Sequence, residues 1–265
     1  MAYAVITGAT SGLGLEYANI LASYGYNIIM IGRREGKLEK EAEKIRNRYS
    51  KKVNTVVCDL SIKSDINRLL IYLDEKDKEE EIFYFINNAG FGTNIDFFSD
   101  EFKHQRKMLQ VHIEALTKLT HFIAPKMVER GSGNIINVSS LASFLPLPRS
   151  PFYCSTKMFI NTFTESIYPY LRKNGVNIQA VCPGFIKTEF HSRQNLDIKN
   201  LKKNFLITWM EPKNVVELSL KNLHKPIYIP HIKNKILFII INLIPKKLYY
   251  KIAESLGDEY KKMGE

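Results

Sequence analysis

A chain of 265 residues, 45% apolar and 25% charged, carries enough apolar material for one large core. Its three cysteines, Cys58, Cys154 and Cys182, stand singly, which argues against a disulfide scaffold or a metal site and suits a reducing cytoplasm. The formal charge of +11 would admit nucleic acid, but lysines are interleaved with acids, as in Glu39-Lys40-Glu41, and no RNA-binding or zinc pattern occurs, so no nucleic-acid partner is expected.

Residues 3–7 already read as a strand, with no charged-then-apolar leader before them, so a secretory signal is not expected. No linker, repeat or composition break follows, and a single domain over 1–265 is predicted. The strand runs into Gly8-Ala9-Thr10-Ser11-Gly12-Leu13-Gly14 and then a helix stopped by Gly25. The three glycines have separable uses: a tight turn at Gly8, backbone approach to a phosphate at Gly12, and close helix–strand packing at Gly14. The N-terminus of that helix would present free N–H groups to a pyrophosphate. Thr10, Ser11 and Leu13 complete the turn.

A second apolar run, residues 27–31, ends at Gly32-Arg33-Arg34, where a dinucleotide fold meets the adenosine ribose. An acid there would suit NAD; Arg33, with Arg34 beside it, suits the 2′-phosphate of NADP. A third strand, 53–58, leads to Asp59-Leu60 at the adenine edge, and the polar stretch 74–81 reads as an exposed loop or helix end. The fourth strand, 82–86, runs into Asn87-Asn88-Ala89-Gly90, small residues suited to close approach of a cofactor. A helical pattern over 101–130 contains Pro125 and ends at Gly131, and strand five, 134–138, precedes Ser139-Ser140.

Ser150-Pro151 reads as N-cap and first position of a helix to Lys173. Its i,i+4 spacing places the Tyr153 phenol and the Lys157 ammonium one turn apart on one face, where the cation should favour phenolate and draw the Tyr153 pKa down from about 10 toward 7. Strand six, Val176–Val181, opens into a turn with Pro183, Gly184, Ile186 and Thr188, at the end of the sheet where open α/β folds bind ligands. Residues 189–212 carry Phe190, Leu196, Trp209 and other apolar groups without a firm period, as a substrate lid or as plain packing. After a helix over 212–223 and a strand over 227–229, the extension 232–265 holds a nine-residue apolar run, 236–244, with lysines and tyrosines on its flanks. That run is too short to span a bilayer. It could lie on a membrane surface through residues 232–250, or pack on the domain and wall the pocket; packing is the favoured reading.

Taken together, the glycine turn, Asp59, residues 87–90, Ser140, Tyr153/Lys157 and Pro183-Gly184 with Thr188 resemble the short-chain dehydrogenase/reductase family over about residues 3–230, with Ser140 thirteen residues before Tyr153. The resemblance implies a Rossmann-type α/β fold, a doubly wound parallel sheet in the order 3-2-1-4-5-6-7 with helices on both faces. It implies NADP(H) as cofactor, Tyr153 as general acid, Ser140 as the hydroxyl that orients a carbonyl, and Lys157 as the group that lowers the Tyr153 pKa and binds the nicotinamide ribose. Thr188 and the Ile186 backbone would hold the carboxamide. His112 stands where the family usually has an asparagine of a proton relay; it joins that relay, or is a tolerated replacement that keeps the helix geometry, or leaves a protein that senses NADPH without turnover. The resulting expectation is a cytoplasmic NADPH-dependent reductase of a hydrophobic ketone, 3-oxoacyl-like or steroid-like, assembled as a homodimer or homotetramer; a membrane-surface lipid reductase is the variant of that reading.

Overall fold

The computed structural model describes residues 2–92, 102–147, 150–188 and 208–251. Its frame is a parallel sheet of seven strands: β1 (Tyr3–Thr7), β2 (Asn27–Gly32), β3 (Val53–Val57), β4 (Ile82–Asn87), β5 (Gly133–Val138), β6 (Val176–Val181) and, at the far edge, β9 (Ile227–Tyr228). They lie in the order β3-β2-β1-β4-β5-β6-β9, the order the resemblance implies once β9 is counted as the seventh strand. Strands β1, β2 and β5 are buried at every position, which is why they read as continuous apolar runs rather than alternating ones.

Helices α1 (Gly12–Ser23), α2 (Glu35–Tyr49) and α7 (Pro212–Lys221) cover one face; α3 (Lys63–Glu79), α5 (Leu116–Arg130) and α6 (Pro151–Lys173) cover the other. Alternation along the strands feeds both layers. Ile6, Ile28 and Met30 join Tyr17, Leu21 and Leu38 on the first side, while Val5, Ile29 and Ile31 join Leu69, Leu73 and Ile123 on the second. Full burial of each such side chain contributes roughly 1.5–3 kcal/mol, the main force holding helices to both faces. The polar stretch after residue 74 proves to be a helix end, since α3 continues to Glu79.

Three local features depart from the sequence reading. The helix over 101–130 is not uniform: α4 (Phe102–Leu109) passes through a π-helical stretch, Gln110–Ala115, into α5. Such a widened turn re-aims side chains, and here it turns His112 inward to full burial. At α6, Ser150 occupies the N-cap but its side chain makes no capping bond; the first turn is closed by Cys154 N–H on the Ser150 carbonyl. Finally, β7 (Phe185–Ile186) and β8 (Trp209–Met210) form a small parallel pair apart from the main sheet. Apart from residues 208–212, the predicted lid lies outside the described residues. Helix α8 (Ile232–Leu243) packs against the 3₁₀ turn Leu141–Phe144, and the described chain continues through a further helical stretch over 246–251.

Candidate active site

The carboxyl ends of β1, β4, β5 and β6 open into one crevice, lined among others by Gly12, Gly90, Ser140, Tyr153, Lys157 and Thr188. At its β1 end the glycine turn is built by close approach. A side chain at Gly8 would meet the Ala89 Cα at 2.9 Å, and one at Gly14 would collide with the Gly8 carbonyl and the Asn88 amide. Asn88 clamps the turn: its side-chain amide donates to the Thr7 carbonyl (2.9 Å) and the Gly8 carbonyl (3.2 Å), while Thr7 Oγ1 receives the Asn88 and Ala89 amides. Gly12 faces Thr188 across the crevice, its imagined Cβ 3.3 Å from the threonine methyl. The first turn of α1 holds no acidic residue and Ser11 makes no side-chain cap, so its amides are left for an external anion. Leu13 lines the crevice while packing into the core.

Both arginines at the end of β2 reach this region. Arg34 Nη2 donates to Thr10 Oγ1 (2.7 Å) and Ser11 Oγ (3.3 Å), and Arg33 Nη1 pairs with Asp59 at 3.7 Å. The Asp59 carboxylate also accepts the Ser61 amide and hydroxyl, whose bonds outweigh its burial and hold its pKa below 3.8. The Leu60 side chain, expected near the adenine, is instead buried in the core layer with Ile66 and Leu69.

On the other side, Ser140 caps the 3₁₀ turn: its Oγ accepts from Ala142 N–H at 3.1 Å, which leaves its own O–H as a donor. Its side chain is hydrogen-bonded to Tyr153. Lys157, one turn further along α6, is 4% exposed, and its ammonium donates to the Val138 carbonyl at 2.8 Å. The same ammonium lies 5.8 Å from the centre of the Tyr153 ring. Burial drives the Lys157 pKa down to about 8 and the Tyr153 pKa up to about 12, the latter against the lowering effect of the Ser140 bond. The expected tyrosine pKa near 7 is therefore not found. Desolvation of the phenol prevails over the lowering effect of its bond with Ser140.

His112 is 1% exposed and both ring nitrogens are used. Nε2 accepts from the Phe91 amide at 3.0 Å, so Nδ1 carries the proton and donates to Thr156 Oγ1 at 3.0 Å; Thr156 in turn donates to the Tyr153 carbonyl. Burial, with the Lys157 charge behind it, holds the His112 pKa well below 6.5, so the ring is neutral. This geometry ties residues 90–91 to the first turn of α6; the relay expected of His112 would need a ring nitrogen that these bonds do not leave.

Sequence reasoning passed over the residues that hold the Ser140 segment. Asn161 Nδ2 donates to Ser143 Oγ (2.7 Å), which donates to the Ser140 carbonyl (2.6 Å), while the buried Cys182 thiol points at Asn161 Oδ1. Ser139 Oγ ties to the Lys157 carbonyl, and Leu141 N–H to the Pro183 carbonyl. The signal was present in Asn161, four residues after Lys157 and hence on the same helical face. Ile186 and Thr188 line the far wall, Thr188 N–H bonding the Ile186 carbonyl at 2.9 Å, and Gly184 abuts the Asn234 side chain of α8.

A dinucleotide fits what is built here: a backbone cradle no larger residue could form, uncommitted helix-end amides, two guanidinium groups beyond it, and a hydroxyl pair at the other end. The sequence profile described as short chain dehydrogenase matches residues 2–199. An uncharacterized oxidoreductase of Staphylococcus saprophyticus is 27% identical over 220 residues, 80% of this chain and 92% of that protein. The human very-long-chain 3-oxoacyl-CoA reductase is 30% identical over 191 residues, 71% of this chain but 60% of that protein. In structure, a short-chain dehydrogenase from Sphingobium yanoikuyae in complex with NADPH superposes with a TM-score of 0.80 at 27% identity, covering 88% of this chain and 89% of the other. Fold, site geometry and profile agree: the chain belongs to the short-chain dehydrogenase/reductase family of oxidoreductases, which act on CH–OH and C=O groups.

Proposed function

We propose that this protein is an NADPH-dependent reductase of a hydrophobic ketone, with a 3-oxoacyl chain as the favoured substrate class. The observation that carries the reading is the Ser140–Tyr153 hydroxyl pair at the crevice, backed by the buried Lys157 ammonium. When bound, the dinucleotide supplies the hydride. The protein supplies orientation and a proton. Ser140 donates a hydrogen bond to the carbonyl oxygen, and Tyr153, which keeps its proton at neutral pH, delivers that proton to the same oxygen. The phenolate left behind faces the Lys157 ammonium, and Lys157, with a pKa of about 8, is matched to returning a proton near neutrality. His112 acts here as a positioning residue for Gly90, Phe91 and Tyr153, not as a proton carrier.

Two observations favour NADPH. The Arg33 and Arg34 side chains stand at the end of β2, and Arg34 bonds Ser11. Ser11 itself is a departure, since the resemblance implies a basic residue there in many NADP-using members; the Arg34 guanidinium lies 3.3 Å from its hydroxyl. A hydrophobic substrate is supported by the crevice lining of Leu13, Phe91, Val138 and Ile186, by the Phe144–Phe238 ring pair packed beside the Ser140 segment at 4.5 Å, and by the likeness to the human very-long-chain reductase. The test is turnover of NADPH against a panel of long-chain 3-oxoacyl thioesters, steroid ketones and small polar ketones. Preference for long-chain 3-oxoacyl substrates is expected, and turnover confined to small polar ketones would overturn the assignment.

A further inference from the structure

Helix α8 has two faces that do different things. Inward, Asn234 is buried and bonds the Pro230 carbonyl, and Phe238 packs edge-on against Phe144. Outward, Ile232, Ile236, Ile239, Ile240 and Leu243 follow the i, i+4, i+7, i+8, i+11 spacing of one helical stripe, and every one is exposed, from 48% at Ile240 to 75% at Leu243. A contiguous stripe of large aliphatic side chains in water costs free energy unless something covers it.

The charge around the stripe points to its cover. At 100° per residue Lys233 falls on one border and Lys235 on the other; beyond the helix stand Lys246, Lys247 and Lys251, with exposed Leu248 and Tyr250 between them. No Asp or Glu occurs from residue 231 to 251. Apposing two copies of this face would bring lysine against lysine, which is unfavourable. An anionic bilayer meets both features at once, taking the aliphatic stripe among the acyl chains and the ammonium groups at the lipid phosphates. Among the described residues no helix is long and apolar enough to cross a membrane, so the helix would lie in the surface.

We infer that α8 is a membrane-surface anchor, docking the outward stripe of Ile232, Ile236, Ile239, Ile240 and Leu243 into an anionic lipid leaflet. The inference rests on this face alone and holds whether or not the crevice reduces a ketone. Because the inward face of α8 packs on the turn that follows Ser140, docking would hold the crevice close to the lipid.

The test is flotation of the full chain with phosphatidylcholine vesicles, with and without phosphatidylglycerol. Binding to the anionic vesicles is expected, weakened roughly ten-fold or more by Ile236→Glu with Ile240→Glu, and similarly by Lys246→Glu with Lys247→Glu or by high salt. All four side chains are exposed, so the thermal midpoint should not change and serves as the folding control. Absence of binding, or binding indifferent to the isoleucine pair, overturns the inference. So does a concentration-dependent dimer in ultracentrifugation that the isoleucine pair dissolves, which would make a second copy the occupant. Flotation gained only on removing 252–265 would make the chain's own tail the occupant.

Discussion

Lys157 is a buried cation whose one charge-assisted bond among the described residues goes to the Val138 carbonyl, and it should cost the fold stability. The fall of its pKa from 10.5 to about 8 amounts to about 3 kcal/mol of disfavour toward the charged form. The sign follows from linkage. Below about pH 8 both folded and unfolded chains carry the proton and the full penalty applies; between about 8 and 10.5 the unfolded chain holds more protons, so stability rises with pH. Lys157→Met fills the same slot without a charge and loses one hydrogen bond of about 1 kcal/mol. The variant should therefore gain about 2 kcal/mol at neutral pH, or roughly 4–8 °C in Tm for a domain of this size, while losing turnover. Thermal unfolding without added dinucleotide, at about pH 7 and pH 10, reads this directly, and the gain should vanish at the higher pH. A variant less stable at both values, or a gain that ignores pH, would show that the burial argument is wrong.

Other expectations follow from the same geometry. His112 is held neutral with a pKa well below 6.5, so the native state loses stability as pH falls below that value; His112→Asn should remove this dependence, up to about 2 kcal/mol between pH 7 and 5 in urea titrations. Its ketone turnover should persist, since the ring anchors residues 90–91 and asparagine can still bond there; complete loss would restore histidine to the proton path. Arg33→Ala and Arg34→Ala should each lower the NADPH-over-NADH ratio of kcat/KM about ten-fold to a hundred-fold, and an unchanged ratio would remove the phosphate assignment. Asn161→Ala frees Ser143 and the Cys182 thiol from their partner. It should lower stability by about 1–3 kcal/mol and reduce kcat with little change in the KM for dinucleotide, because it loosens the Ser140 turn and not the glycine cradle.

The frame was legible because a doubly covered parallel sheet writes itself as apolar runs broken by glycine turns, as at residues 3–14 and 27–32. The hydroxyl pair and lysine were legible through spacing: Tyr153 and Lys157 must share a helical face. What spacing cannot carry is the balance of burial and charge, and so the Tyr153 pKa was misjudged. Burial of the phenol raises its pKa more than its neighbours lower it, and that burial depends on how the Ser140 segment and the strand ends pack around α6, which i,i+4 spacing does not record. The π-helical stretch escaped for a related reason. A single widened turn leaves the apolar period of 102–130 nearly intact, yet it decides that His112 faces inward. The apolar run 236–244 read as packing or as membrane contact, and the folded helix has one face packed and the other exposed.

The proton at the crevice is the most direct point of attack. Consumption of NADPH with a long-chain 3-oxoacyl thioester, measured for the wild type and for Tyr153→Phe alongside dinucleotide binding by each, isolates the phenol proton from everything else in the site. The wild type should turn over and the variant should bind NADPH undiminished yet react at least about a hundred-fold more slowly. Equal rates would mean that the proton comes from elsewhere and that this pair of hydroxyls is not the centre of the chemistry.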